Sequence, residues 1–259
     1  MNRWRIPLAL LVFLVWLGIM FWGAWNPHDP TRVVDTITGG ISHQILSAGI
    51  FLLVVVIALR WWDVGFDAPR PWSSLRVVAF PAAYLALFTA GTLLVGWPAP
   101  SVVFFLALNC LLVGFSEELM FRGVLFRAFR SGMSLWPSIW LTSVMFGSVH
   151  VLNAFGTGDI FGAVIQACTA FMAGTFFLAM VLRTGSILPS MLIHAAWDFL
   201  LTTMAAGSPV LESAPLAPSF VTLLLPFALE TPLFIYSIFV LRKIARETSP
   251  QPIRAAHSA

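Results

Sequence analysis

The chain has 259 residues, of which 59% are hydrophobic and only 10% charged, against roughly 25% charged in ordinary soluble domains. Its apolar runs are too long for soluble domains, and the net charge of +3 is explained by where the basic residues sit rather than by a nucleic-acid footprint. Cys110 and Cys168 both lie inside apolar runs and read as buried thiols, not as a disulfide framework or a metal site.

A bilayer span takes about 20 apolar residues. In chain order such stretches fall at 6–25, 41–59, 77–97, 101–121, 136–152, 160–182, 186–206 and 219–241. The first follows MNRWR; it is longer than the ~7–15 residues of a signal-peptide core and has no A-x-A site behind it. It is expected to stay as a span. Gly and Pro clusters mark the joints, at NPHDP (26–30), GWPAP (96–100), SGMS (131–134), RTGS (183–186) and SAPLAPS (213–219). The expected fold is therefore an all-α polytopic membrane protein of about eight transmembrane helices. Residues 1–100 hold the first three, 101–206 a core of spans four to seven, 207–241 a loop and the last span, and 242–259 a polar, disordered tail.

Placing the N-terminus in the cytoplasm and threading eight spans puts thirteen of the 14 basic residues on the cytoplasmic side, Arg32 alone falling outside. This obeys the positive-inside rule and leaves both termini cytoplasmic. Trp25, Trp61, Trp62, Trp97 and Trp136 fall at span ends, where an aromatic belt is expected.

Few ionisable groups remain at membrane depth: Glu117, Glu118 and Arg122 on span four, His150 at the end of span five, His194 and Asp198 on span seven, and Glu230 alone between Pro226 and Pro232 on span eight. Such residues point to function by default, because an isolated charge at a span centre costs about 2.5–3.5 kcal/mol on insertion scales. Glu118 and Arg122, spaced i, i+4, share a helix face and read as an ion pair. Glu117 is turned ~100° away from Glu118 and is left needing a partner or a proton. His194 and Asp198 are again i, i+4, a clasp that orients the histidine.

Depth relates these groups. The turn between spans four and five centres near 132–133, fifteen to sixteen residues after Glu117 and seventeen to eighteen before His150. At 1.5 Å per residue an antiparallel hairpin sets the two level to within ~3 Å. That register requires span four to continue as helix to about Arg130. Span five would then stop near mid-membrane, with NAFGTGD (153–159) completing the crossing as irregular backbone. The expected site is a polar cavity in the inner half of the membrane.

The ordered motifs EExxxR (Glu117, Glu118, Arg122), FxxxH (Phe146, His150) and HxxxD (His194, Asp198) on three successive hydrophobic blocks resemble the CAAX protease and bacteriocin-processing family of intramembrane endopeptidases. The resemblance covers about residues 100 to 205. It implies Glu117 as the general base that activates water, His150 as its assistant, and Glu118 and Arg122 as orienting groups. In the prenyl-protein enzymes of that family the last motif ends in Asn and holds the oxyanion. Here a carboxylate stands in its place and cannot donate unless protonated, so Asp198 is expected to orient His194 as the donor.

The implied activity is endoproteolysis of a membrane-associated, leader or tail peptide. It proceeds without a cofactor, or alternatively with Zn²⁺ on Glu117, His150 and His194, although no HExxH is present. The competing readings are a proton-coupled transporter using the same cavity and a non-proteolytic immunity or scaffold protein. The partners expected are a peptide substrate and the lipid bilayer, with no nucleic acid. Short inter-span loops and the absence of a retention signal point to a bacterial inner membrane.

Overall fold

A computed structural model describes residues 4–22, 37–207 and 220–248. Among these the chain is helical and has no strand. The helices are α1 (Arg5–Phe21), α2 (His43–Ala58), α3 (Ala79–Val95), α4 (Pro100–Glu118), α5 (Phe126–Gly132), α6 (Leu135–His150), α7 (Ala154–Thr157), α8 (Ile160–Thr184), α9 (Leu188–Gly207) and α10 (Phe220–Thr248). A π-helical stretch, Leu119–Leu125, joins α4 to α5.

Each expected span has a helix, yet among the described residues five stretches are long and apolar enough to cross a membrane: Trp72–Val95, Pro100–Gly132, Leu135–Thr157, Ile160–Thr184 and Leu224–Thr248. The helices α1 and α2 have 17 and 16 residues, which at 1.5 Å per residue reach ~25 Å against a ~30 Å hydrocarbon core. Twenty residues would suffice for α9, but His194 and Asp198 sit in its middle and lower its hydropathy. The outer surface is what lipid requires: Leu94 is 88% exposed, Ile160 70% and Phe239 65%, a pattern foreign to a water-facing surface. The protein is an integral membrane protein.

Span four continues without a break to Gly132, as the register demanded. Span five differs from expectation. The segment after His150 is not irregular: a 3₁₀ turn, Val151–Asn153, leads into α7, and Gly158 in the left-handed region (φ 72°) turns the chain into α8. Regular hydrogen bonding satisfies the backbone there better than an open loop would. The polar tail expected from 242 is likewise helical as far as Thr248, held by buried Leu241 and Ile244 and by an Arg183–Glu247 ion pair of 3.2 Å. Residues 249–259, and Trp25 and Arg32, lie outside the described residues. Cys110 is buried as expected, but Cys168 is exposed on α8, where apolar surroundings mean lipid rather than protein.

The basic ends of the helices meet at one end of the bundle. Arg5 pairs with Asp63 at 2.7 Å and lies 5.5 Å over Trp61, while Arg70 N–H donates to the Thr184 carbonyl at 3.1 Å. Burial pushes the Asp63 carboxyl up, but the hydrogen-bonded Arg5 guanidinium outweighs it and holds the group below the usual carboxylate range.

Two aromatic and polar knots fasten α1 and α2 to the core. Trp16 Nε1 donates to Ser116 Oγ at 2.9 Å, and its ring meets Phe121 edge-on at 5.6 Å. Asn109 on α4 donates to the carbonyls of Ile37 and Gly40 and accepts from Ser42 N–H. Because α8 is buried on every side from Gly174 to Val181, it is the central helix of the bundle.

Small residues set the helix spacing. A Cβ at Gly114 would lie 2.7 Å from the Met191 carbonyl and 3.1 Å from Ala195 N, so α4 and α9 pack backbone to backbone. Gly147 brings α6 equally close to α8, its added Cβ lying 2.6 Å from the Ala167 carbonyl. Gly114→Ala is expected to push α9 away and lower stability by about 1–3 kcal/mol, read as the thermal unfolding midpoint in detergent. A wild-type midpoint would contradict the close approach.

Candidate active site

Four elements deliver the site. The end of α4 presents Glu117 and Glu118, and the π-helical stretch presents Arg122. Phe146 and His150 come from the last turn of α6, and His194 and Asp198 from the middle of α9. All seven π-helical residues are buried, and a π turn inside a helix is characteristic of functional sites.

Glu118 is the hub. It is fully buried, its Oε1 lies 2.8 Å from Arg122 Nη1, and the same oxygen lies 2.9 Å from His194 Nδ1. The i, i+4 ion pair read from the spacing is present. Arg122, also fully buried, donates through Nη2 to the Gly174 carbonyl at 3.2 Å. Its guanidinium stands 4.2 Å from the Phe146 ring and 5.2 Å from that of Phe177. A buried cation is tolerable here because a carboxylate, a carbonyl and two ring faces surround it.

His194 is held by both ring nitrogens. Since a carboxylate only accepts, Nδ1–H donates to Glu118. Nε2 then faces two further carboxylates, Asp198 Oδ2 at 3.4 Å and Glu117 Oε2 at 3.7 Å. The Phe177 ring stacks on the imidazole at 4.9 Å and 18°. Asp198, expected as the orienting partner, is present but more distant than Glu118.

Glu117 is buried, and its Oε2 has no hydrogen-bond partner. The imidazole nearest to it is that of His194; the level register with His150 does not become a direct contact. His150 binds its own helix instead, Nδ1 lying 2.8 Å from the Phe146 carbonyl. A carbonyl can only accept, so Nδ1 carries the hydrogen and a neutral ring leaves Nε2 as an acceptor. Phe146 ties the two histidines together, with its ring centre 5.0 Å from that of His150 and 6.0 Å from that of His194.

Phe146, His150, His194 and Asp198 border a cavity of about 360 Å³, together with Trp197 and Glu230; Glu117, Glu118 and Arg122 lie behind that wall. That volume lies in the range of small-ligand sites. Among the described residues no three His, Cys, Asp or Glu side chains are arranged to hold one metal ion.

Sequence reasoning missed Phe177 and Gly174. One of 23 phenylalanines and one of 18 glycines in the chain, they carry no local signal. Each acts only through a neighbour on another helix.

No curated protein and no solved structure matches the chain. Residues 99–200 match a family model described as Type II CAAX prenyl endopeptidase Rce1-like. That interval contains all three motifs and excludes α1, α2, α3 and α10. The segment that builds the site is thus similar to the Rce1-like family over those residues.

Proposed function

We propose that this protein is an intramembrane endopeptidase in which Glu117 activates water for attack on a peptide carbonyl. The observation that carries the reading is the unpartnered Oε2 of Glu117 beside an imidazole fixed from behind by Glu118. Peptide hydrolysis needs a base, a positioned water and a charge stabiliser, and these groups supply all three. The Rce1-like match over residues 99–200 supports the same reaction class.

In the first step Glu117 takes a proton from water as the water oxygen bonds to the carbonyl carbon. His150 Nε2, an acceptor because Nδ1 is committed, helps to hold that water. His194, when Nε2 carries hydrogen, donates to the oxyanion, in the manner of a preorganised side-chain donor. Glu118 and Asp198 orient the ring. Glu117 then returns its proton to the leaving nitrogen as the C–N bond breaks. The phenylalanine rings around Arg122 and His194 exclude bulk water, which strengthens each electrostatic contact.

The test is cleavage of a panel of membrane-associated peptides by the protein in proteoliposomes, followed by mass spectrometry. Loss of the new termini in Glu117→Gln at equal protein level is expected. Unaltered cleavage by that variant would sink the assignment. The transporter reading predicts instead that wild-type protein cleaves nothing and moves protons across the vesicle membrane.

A further inference from the structure

Glu230 contributes a carboxyl to the cavity wall and belongs to none of the three motifs. It sits on α10 between Pro226 and Pro232, outside the Rce1-like segment. The residue is 7% exposed, its Oε2 has no hydrogen-bond partner, and it lines the same cavity as His194 and Asp198. A buried carboxyl without a donor carries a desolvation penalty that a ligand supplying a donor would relieve. Arg122 does not serve: it pairs with Glu118 and is not part of the cavity wall.

The rest of the wall indicates which donor. Asp198 adds a second carboxyl, and among the described residues no lysine or arginine lines the cavity. Beside these oxygens lie the apolar side chains of Trp197, Leu225, Leu229 and Leu233. The two histidines of the wall are already held through Nδ1, His194 by Glu118 and His150 by the Phe146 carbonyl, and at Glu230 and Asp198 a peptide's free C-terminal carboxylate would meet groups of its own kind. A lysine or arginine side chain fits both parts: its aliphatic stem covers apolar wall while its cationic head donates to carboxylates.

We propose that Glu230, together with Asp198, forms a specificity subsite for a basic side chain of the substrate peptide, an inference that rests on the peptidase reading above. Atoms of the peptide bond are not involved; Glu230 is a recognition group.

Binding tests this separately from cleavage. Acetylated and amidated apolar heptapeptides carrying Lys, norleucine or Glu at the centre are titrated against the detergent-solubilised Glu117→Gln protein, which keeps them intact. The Lys peptide is expected to bind at least about tenfold more tightly than the norleucine peptide, as a charge-assisted hydrogen bond implies. The Glu peptide is expected to be weakest. In the Glu117→Gln/Glu230→Gln protein the Lys-to-norleucine ratio should fall toward one. A ratio near one in the parent overturns the subsite, and so does a ratio that survives Glu230→Gln or tighter binding of a free C-terminal acid than of its amide. The three-peptide ranking needs no change at Glu230, so it decides the matter even where that substitution impairs folding. If the Lys peptide binds selectively while wild-type protein cleaves no peptide, the subsite stands and the peptidase reading falls.

Discussion

Glu118→Ala is expected to cost about 3–5 kcal/mol of stability, the usual result of removing one member of a buried ion pair. The substitution leaves Arg122 fully buried with one carbonyl and two ring faces for company. It also releases His194 Nδ1, whose acceptor at 2.9 Å is the same carboxyl oxygen. Folding and site geometry therefore fail together. The measurement is the thermal unfolding midpoint in detergent with the yield of monodisperse protein, alongside cleavage of any substrate found. Exchanging both partners separates the two losses. Glu118→Leu combined with Arg122→Met removes the buried charges as a pair and should recover much of the stability, but none of the activity, because His194 is still unheld. A wild-type midpoint for Glu118→Ala would show that the hub is not structural.

Glu117→Gln is expected to lower the cleavage rate by about 10²–10⁴-fold, the range for losing a general base. Stability should change far less, since Glu117 makes no hydrogen bond through Oε2 and its nearest ionic contact is 3.7 Å away. The contrast with Glu118 is the informative part: adjacent carboxylates, one whose loss affects folding and one whose loss affects rate. His194→Ala and the double variant with Glu117→Gln should each fall to about the same residual rate, because groups that act as a unit are strongly non-additive. Treatment with a chelator supplies the remaining arm. Full activity in its presence agrees with a metal-free carboxylate mechanism, whereas inactivation reversed by Zn²⁺ would replace it.

Local rules made part of this protein legible. Long apolar runs can only be spans, since lipid offers no partner for an unpaired backbone group, and every run from 41 to 206 proved helical within a few residues. Helix geometry made the i, i+4 pairing of Glu118 with Arg122 readable, and hairpin arithmetic required span four to run on toward Arg130, as it does. The arginine pattern likewise indicated which helix ends lie together, as the Arg5–Asp63 and Arg183–Glu247 contacts illustrate.

What the sequence determined by itself was the helical character of its apolar runs, the continuation of span four past Glu117 and the residues that lipid would reject. Only the tertiary structure decided how each helix is rotated and which neighbours it meets. That is why Glu117 faces His194 before His150, why one oxygen of Glu118 serves both Arg122 and His194, and why Glu230 reaches the cavity. The physical reason is the solvent. In water an apolar stripe tells a helix which way to turn, but these helices are apolar toward lipid and protein alike, so periodicity carries little rotational information. Rotation is set instead by glycines that admit a neighbouring backbone, Gly114 against Met191 and Gly147 against Ala167. It is also set by the few polar groups that must find one another once water is gone.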